Sequence, residues 1–199
     1  GTYFIGKKIV DFLFDEKYKV TVLNRGNKKL DNPKIENLVC DRNDLENMTK
    51  VLSNIFFDIV IDVSGVTPLQ MTILLSSLNT TMIKQFIFIS SSGVYDLDNQ
   101  PIPYKETDIL KANSYWTTYS QNKIDAEAVL INYFDQTKTI LSILRPPYVY
   151  GENNYAPRES FIFEHLLSNK PIIIPRKGEK LIQFIHTTDI ANIILSILN

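Results

Sequence analysis

Apolar positions along the chain change period again and again. Ile5, Ile9, Val10, Leu13 and Phe14 recur at helical spacing and predict an amphipathic helix from about Gly6 to Lys17. KVTVL follows as a β-branched strand ending at Asn24, IENLVC as a second short strand, and DLENMTKVLSN as a helix with Asp44 near its start. FDIVIDVSG is a near-continuous apolar run, the pattern of a strand buried on both faces. A helix around Pro68–Leu78 leads to QFIFISSS, another buried strand. The stretch from Asp96 to Ser114, with Pro101 and Pro103, is polar and irregular. SYWTTYSQNKIDAEAVLINYF then reads as a long helix and TILSILRP as the strand after it. Strands and helices alternating at this spacing predict right-handed βαβ units and an α/β, doubly wound parallel sheet of the Rossmann type.

Beyond Arg145-Pro146-Pro147 the texture changes. VYGENNYAPRE reads as loop, ESFIFEHLLSN as helix, PIIIP as a short strand, and FIHTTDIANIILSIL as a strand, a Thr/Asp cap and a final helix. The expected organisation is a nucleotide-binding domain over 1–150. The start of a small substrate lobe follows over 151–199, with 182–199 returning to the core. The chain opens on a glycine turn with no strand before it and stops at Asn199 inside an apolar helix. Both ends are therefore expected to be cut, the first and central strand of the sheet lying outside the sequence.

Composition narrows the class without choosing within it. The 199 residues are 44% hydrophobic and 22% charged, ordinary for a globular chain. With 21 basic against 22 acidic residues, a net charge of −1 supplies no general field for nucleic acid or anionic membranes. The basic candidates, Lys28-Lys29 and Arg176-Lys177-Lys180, are few. The single Cys40 forms no internal disulfide and offers no metal quartet, so no metal and a reducing, cytoplasmic setting are expected. No apolar run approaches the roughly 20 residues that span a bilayer.

Ligands of an open α/β sheet bind outside the carboxyl ends of its strands, so the residues just after each strand matter most. VTVLNRG ends in Asn24-Arg25, where a dinucleotide fold usually carries an acid on the adenosine ribose. Removing that carboxylate and adding a cation favours NADP over NAD, although Asn-Arg-Gly also suits a plain solvated turn. Asp41 stands where a carboxylate accepts from an adenine amino group or caps a helix, and Arg42 beside it is a second candidate cofactor contact. Ser64 and Gly65 are small enough for a flat cofactor to approach the backbone, or for a tight turn. Tyr119 and Lys123, at i and i+4, share a helix face. A phenol of pKa about 10 is a poor base at neutral pH. A nearby ammonium stabilises the phenolate. Ser91, at a strand end, completes a set able to handle the proton of a reacting hydroxyl.

In the order GTYFIG, VLNRG, CDRND, FDIVID, FISSSGVY, YSQNK, LRPPYVYG and FIHTTDIA, the chain resembles the extended and atypical short-chain dehydrogenase/reductases, the NAD-dependent epimerase/dehydratase group. The resemblance implies that GTYFIG is the tail of a glycine fingerprint usually written GGTGFIG, so that Gly1, Thr2, Tyr3, Phe4 and Ile5 face the cofactor. Tyr3 stands in the place of the middle glycine, a departure. It further implies that Ser91, Tyr119 and Lys123 are catalytic, that Arg25 and Asp41 lie on the adenosine side, and that Pro146 to Tyr148 flank the nicotinamide. His186 and Asp189 match a mainly structural motif. The segment after IDVSG lacks the longer, Tyr- and Asn-bearing stretch of nucleotide-sugar enzymes. That is closer to the branch holding chloroplast RNA-binding and stem-loop-binding proteins. In this family the helix bearing Tyr119 and its neighbour commonly form a dimer interface.

The expected function is an NADP- or NAD-dependent epimerase, dehydratase or reductase acting on a hydroxyl or carbonyl small molecule, a nucleotide sugar included. The alternative is an RNA-binding or regulatory cofactor-binding protein on the same fold.

Overall fold

The computed structural model describes residues 1–28, 30, 32–179 and 181–198; Lys29, Lys180 and the Arg176 side chain, all basic candidates, lie outside that description. The element order is α1 (Phe4–Asp15), β1 (Thr21–Asn24), β2 (Glu36–Val39), α2 (Leu45–Leu52), β3 (Ile59–Asp62), α3 (Pro68–Ser77) and β4 (Gln85–Ile89). It continues with α4 (Thr117–Phe134), β5 (Ile140–Leu144), β6 (Tyr148–Tyr150), α5 (Glu159–Leu167), β7 (Phe184–His186) and α6 (Thr187–Ile197). All strand pairs are parallel: β1 with β2, β3–β4–β5 in register Ile59↔Gln85 and Gln85↔Ile140, and β6 with β7.

β4 shows why the sheet is wound on both sides. Its five residues, QFIFI, are all buried. Phe86 and Phe88 point one way, into a core with Met71 and Leu75 of α3 and Ala126, Leu130 and Phe134 of α4. Ile87 and Ile89 point the other way, against Phe4, Ile9 and Leu13 of α1 and Ile190 and Ile194 of α6. An alternation of period two with apolar residues on both faces admits only a strand with helices above and below. Local signals set the helix starts. Asp44 accepts from Asn47 N at 3.0 Å, and Thr67 with Gln70 forms a capping box before Pro68.

Two expectations fail after residue 147. Val149 and Tyr150, read as loop, belong to β6, whose partner β7 comes more than 30 positions later and leaves no local pattern. PIIIP is not a strand: 171–174 are irregular, with Ile173 88% and Ile174 67% exposed, so the apolar run has no neighbour to pair with among the described residues. β1 and β3 do not pair either. At the carboxyl ends of the strands the residues that follow them, among them Arg25, Asp41, Ser64 and Ser91, line one cavity.

Candidate active site

Three turns meet at the carboxyl ends of the strands. The first enters α1. Gly6 sits so close to the start of the chain that a Cβ there would lie 3.0 Å from Gly1 N and 3.1 Å from Gly1 Cα, which folds the turn tightly onto the helix. Tyr3 is the N-cap of α1, and its side chain makes no capping hydrogen bond to the first-turn N–H groups. Its backbone is extended (φ −145°, ψ 149°), a conformation any residue adopts, so Tyr3 in place of glycine brings no backbone strain. The strain lies at Phe4, at φ 40°. The Tyr3 ring sits beneath Lys28 Nζ, 4.5 Å from its centroid, and 6.3 Å from the Tyr155 ring.

The second turn follows β3 and is organised by Asp62. Its carboxylate accepts from Ser64 N at 3.1 Å, Gly65 N at 2.9 Å and the Arg42 fork at 2.9 and 2.6 Å. Burial opposes the charge, yet the Arg42 contacts and the two amides hold this carboxyl below its usual range. Arg42 also donates to Ser64 Oγ at 2.8 Å, so its Nη donors serve the protein itself. Gly65 is required: a Cβ would meet Met71 Cε at 2.2 Å and Asp62 Oδ2 at 2.6 Å.

The third turn follows β4. Ser91 caps the short 3₁₀ turn Ser92–Val94, accepting from Gly93 N at 3.1 Å, and its hydroxyl lies near the Tyr119 phenol. Asn113, 1% exposed, sets the start of α4 against that turn, donating to Gly93 O and Ser120 Oγ at 2.8 Å each. Lys123 is buried at 3% exposure and donates to Gly65 O and Ile89 O, 2.7 Å each, with its ammonium 4.5 Å from the Phe88 ring centroid. It therefore stitches the second turn to the third. One helical turn on, Glu127 (1% exposed) accepts from Arg145 Nη2 at 2.7 Å and from Ser90 Oγ.

Desolvation brings Lys123 down to about 8, with Asp62 and Glu127 opposing the fall. Burial pushes the Tyr119 phenol up; the nearby Ser91 hydroxyl and the charge of Arg158 pull it back. The sign for Lys123 is definite. Between a folded pKa of about 8 and an unfolded one of about 10.4, the unfolded chain binds more protons, so this group's contribution makes stability rise with pH. Urea unfolding at about pH 7.5 and 9.5 is therefore expected to show wild type gaining on Lys123→Met at the higher pH. An unchanged difference would mean the amine is not desolvated.

The cavity wall carries nearly every residue singled out from the sequence: Gly1 to Ile5, Asn24, Arg25, Asp41, Arg42, Ser64, Gly65, Ser91, Tyr119, Lys123 and Pro146. Tyr148 is not in that lining; its ring packs on Trp116 and Phe184 at 6.3 and 6.2 Å. Asn24 forms a local turn, accepting from Gly26 N at 2.6 Å, while Arg25 is exposed beside Asp41. Asp41 accepts from Asn43 N and Nδ2 at 2.9 and 2.8 Å; these bonds and nearby Arg25 and Arg42 lower its pKa. His186 caps α6, accepting from Thr188 N, with Asp189 answering His186 N. Sequence reasoning missed Asp62, Glu127, Tyr155 and Arg158. The first two left signals, a lone acid in an apolar run and an acid four residues after Lys123; the loop residues left none. Among the described residues no cluster of His, Cys, Asp or Glu is placed to hold a metal, and no helix is long and apolar enough to cross a membrane.

A parallel sheet wound on both faces, a tight glycine turn into α1 and a shared cavity at the strand ends define a Rossmann-type protein. The chain belongs to the NAD dependent epimerase/dehydratase family, whose model matches residues 1–199. It is 30% identical to the chloroplast stem-loop binding protein of 41 kDa b of Arabidopsis thaliana, over all of this chain and 53% of that protein. It is 28% identical to human dTDP-D-glucose 4,6-dehydratase, over 63% of this chain and 35% of the relative. The chain thus spans about half the length of the first of these and less of the second. In fold it is similar to a UDP-glucose 4-epimerase of Thermotoga maritima, solved with UDP-glucose (TM-score 0.81, 22% identity, 99% of this chain and 71% of that one). A dTDP-glucose 4,6-dehydratase of Bacillus anthracis, in complex with NAD, gives a TM-score of 0.82 at 19% identity, over all of this chain and 69% of that one.

Proposed function

We propose that the chain forms the cofactor-binding part, residues 1–150, and the beginning of the substrate lobe, residues 151–199, of an NADP- or NAD-dependent epimerase, dehydratase or reductase. Its substrate is a small molecule with a hydroxyl or carbonyl at the reacting carbon; the sugar nucleotides named for the relatives are the first to screen. The observation that carries this reading is the meeting of three turns at the strand ends, where Lys123 joins the Gly65 and Ile89 carbonyls beside Ser91 and Tyr119, with the start of α1 and Asp41 on the same side of the sheet. When bound, the dinucleotide supplies hydride transfer.

The chain's own residues do the rest. Arg25 and Asp41 take the adenosine end, the N–H groups of α1 the pyrophosphate, and Ser64, Gly65 and Pro146 the flat faces. Ser91 holds the reacting oxygen, Tyr119 moves its proton, and Lys123 fixes the turns on either side. Tyr119 begins above its ordinary pKa, so its activation falls to Ser91 and to cations brought near it. Exposed Ile131 and Tyr133 on α4 and Leu69 on α3 support a homodimer through those helices, and the lone buried Cys40 supports a reducing cytoplasm.

A thermal-shift titration with NADP(H) and NAD(H) side by side tests the cofactor assignment. A ligand at a hundredfold excess over Kd stabilises by about 2.7 kcal/mol. The larger shift is expected with NADP(H), and Arg25→Glu is expected to reverse the order. Equal shifts in wild type would remove the role given to Arg25. The name of the Arabidopsis relative favours a second reading, stem-loop RNA binding; no shift with either cofactor, together with salt-sensitive RNA affinity, would put it first.

A further inference from the structure

One peptide in the turn after β3 is gripped from both sides. Its carbonyl, Gly65 O, accepts from Lys123 Nζ at 2.7 Å. Its N–H, on Val66, donates to Gln70 Oε1 at 2.9 Å, and the same oxygen accepts from Thr67 N at 3.3 Å. The peptide before it is held by Asp62, which accepts from Gly65 N at 2.9 Å. Two adjoining amide planes fixed in this way set the direction in which the Gly65 carbonyl points.

Lys123 depends on that direction. An ammonium on a flexible four-carbon stem has no fork to orient it and takes its place from its acceptors. Lys123 has two, Gly65 O and Ile89 O. Ile89 ends a strand buried along its whole length, so the sheet holds the second carbonyl. Gly65 lies in a turn, and the grips of Asp62 and Gln70 hold the first.

Both grips lead back to the segment after β2. Arg42 donates to the two Asp62 oxygens at 2.9 and 2.6 Å. Gln70 Nε2 donates to Asn43 Oδ1 at 2.9 Å, and Asn43 Nδ2 to Asp41 at 2.8 Å. Two strings of hydrogen bonds, one ionic and one neutral, thus run from residues 41–43 to the acceptor of Lys123.

We propose that Asp62 and Gln70 are positioning residues for Lys123: they orient the Gly65 carbonyl that receives its ammonium and tie that carbonyl to the 41–43 segment. This rests on the dehydrogenase reading above, in which Lys123 and the 41–43 segment serve opposite ends of one dinucleotide. A Gly65 carbonyl turned away leaves the ammonium one acceptor of its two, and the turn beside Ser91 and Tyr119 loses its stitch.

The test uses NMR of the full chain carrying isotope-labelled lysine, with and without saturating NADP⁺. The Lys123 Cε signal is identified by its absence from Lys123→Met. Asp62→Ala and Gln70→Met each remove one grip, and in both the signal is expected to move toward those of exposed lysines. Gln70→Glu, which keeps an oxygen for Val66 N, is expected to bring it back. With the substrate found by screening, Gln70→Met is expected to lower kcat at least about tenfold, the cofactor KM staying within about twofold. An unmoved Lys123 signal in Gln70→Met would overturn the proposal. So would full kcat in a Gln70→Met protein whose signal has moved, because the grip would then serve the turn alone. Should Asp62→Ala fail to fold, Gln70→Met and its rescue decide. Failure of wild type to bind any dinucleotide would sink the dehydrogenase reading instead, and the cofactor-free spectra would still show what holds Lys123.

Discussion

Tyr119→Phe is expected to lower turnover by about 10²–10⁴ while cofactor affinity stays within about twofold. The change removes one oxygen from a ring that keeps its place on α4, so packing is preserved and only proton transfer is lost. The hydroxyl stands next to Ser91, at the end of a strand fully buried on both faces, and the helix carrying it is pinned by Asn113. Nothing else described beside Ser91 offers a titratable group so placed. Single-turnover rates across pH with the substrate found by screening, together with cofactor titrations, measure both halves. A variant with full activity would remove Tyr119 from the chemistry. One that lost cofactor affinity as well would make its role binding.

The largest effect on stability is expected from Glu127→Ala, about 3–5 kcal/mol, because it strands the Arg145 guanidinium in a low-dielectric interior. Glu127 holds Arg145 through Nε at 3.2 Å to both oxygens and through Nη2 at 2.7 Å, and accepts from Ser90 as well. Arg145 continues to Tyr95 OH at 3.1 Å and Glu106 O at 3.3 Å, so the pair ties α4, β4, β5 and the 95–106 segment together. For a chain of this size that loss is about 6–20 °C in Tm. Removing both charges with Glu127→Ala and Arg145→Met is expected to recover much of it, since the penalty comes from the uncompensated ion. Urea unfolding of the two single variants and the double variant gives the coupling directly. Additive losses would show that the two charges do not act as a pair.

How legible this was depended on how local each cause is. Phe86 to Ile89 announce a two-faced strand by composition alone, and Asp44 and Thr67-Pro68 announce their helices by capping chemistry. Tyr119 and Lys123 stand four apart on one helix, so their shared face follows from the helical repeat. Their proximity to Ser91 followed only from the order of elements. What stayed hidden was set by long-range partners. β6 needs β7, far along the chain, and PIIIP looks like a strand until no neighbour is found for it. Arg42 looked available to a cofactor because nothing local shows that Asp62, twenty positions on, claims its fork. Lys123 was expected to act on Tyr119; it is bound to two backbone carbonyls, and the cation felt by the phenol comes from a loop without any local signature.

The parallel pairing of β6 with β7 has a consequence for how such a protein can change its diet. Residues 151–183 leave the core at Tyr150 and return at Phe184, and the pairing fastens exit and re-entry side by side. Lys8 bonded to Glu152 at 3.0 Å adds a clasp at the point of departure. An excursion closed at its base can grow, shrink or be exchanged at little thermodynamic cost, since closure entropy rises only with the logarithm of length. Ser91, Tyr119 and Lys123 stand outside that base and would not feel the exchange, whereas Arg158 stands inside it. On the proposed reading, exchanging residues 151–183 alters the substrate lobe and leaves the Ser91, Tyr119 and Lys123 side in place.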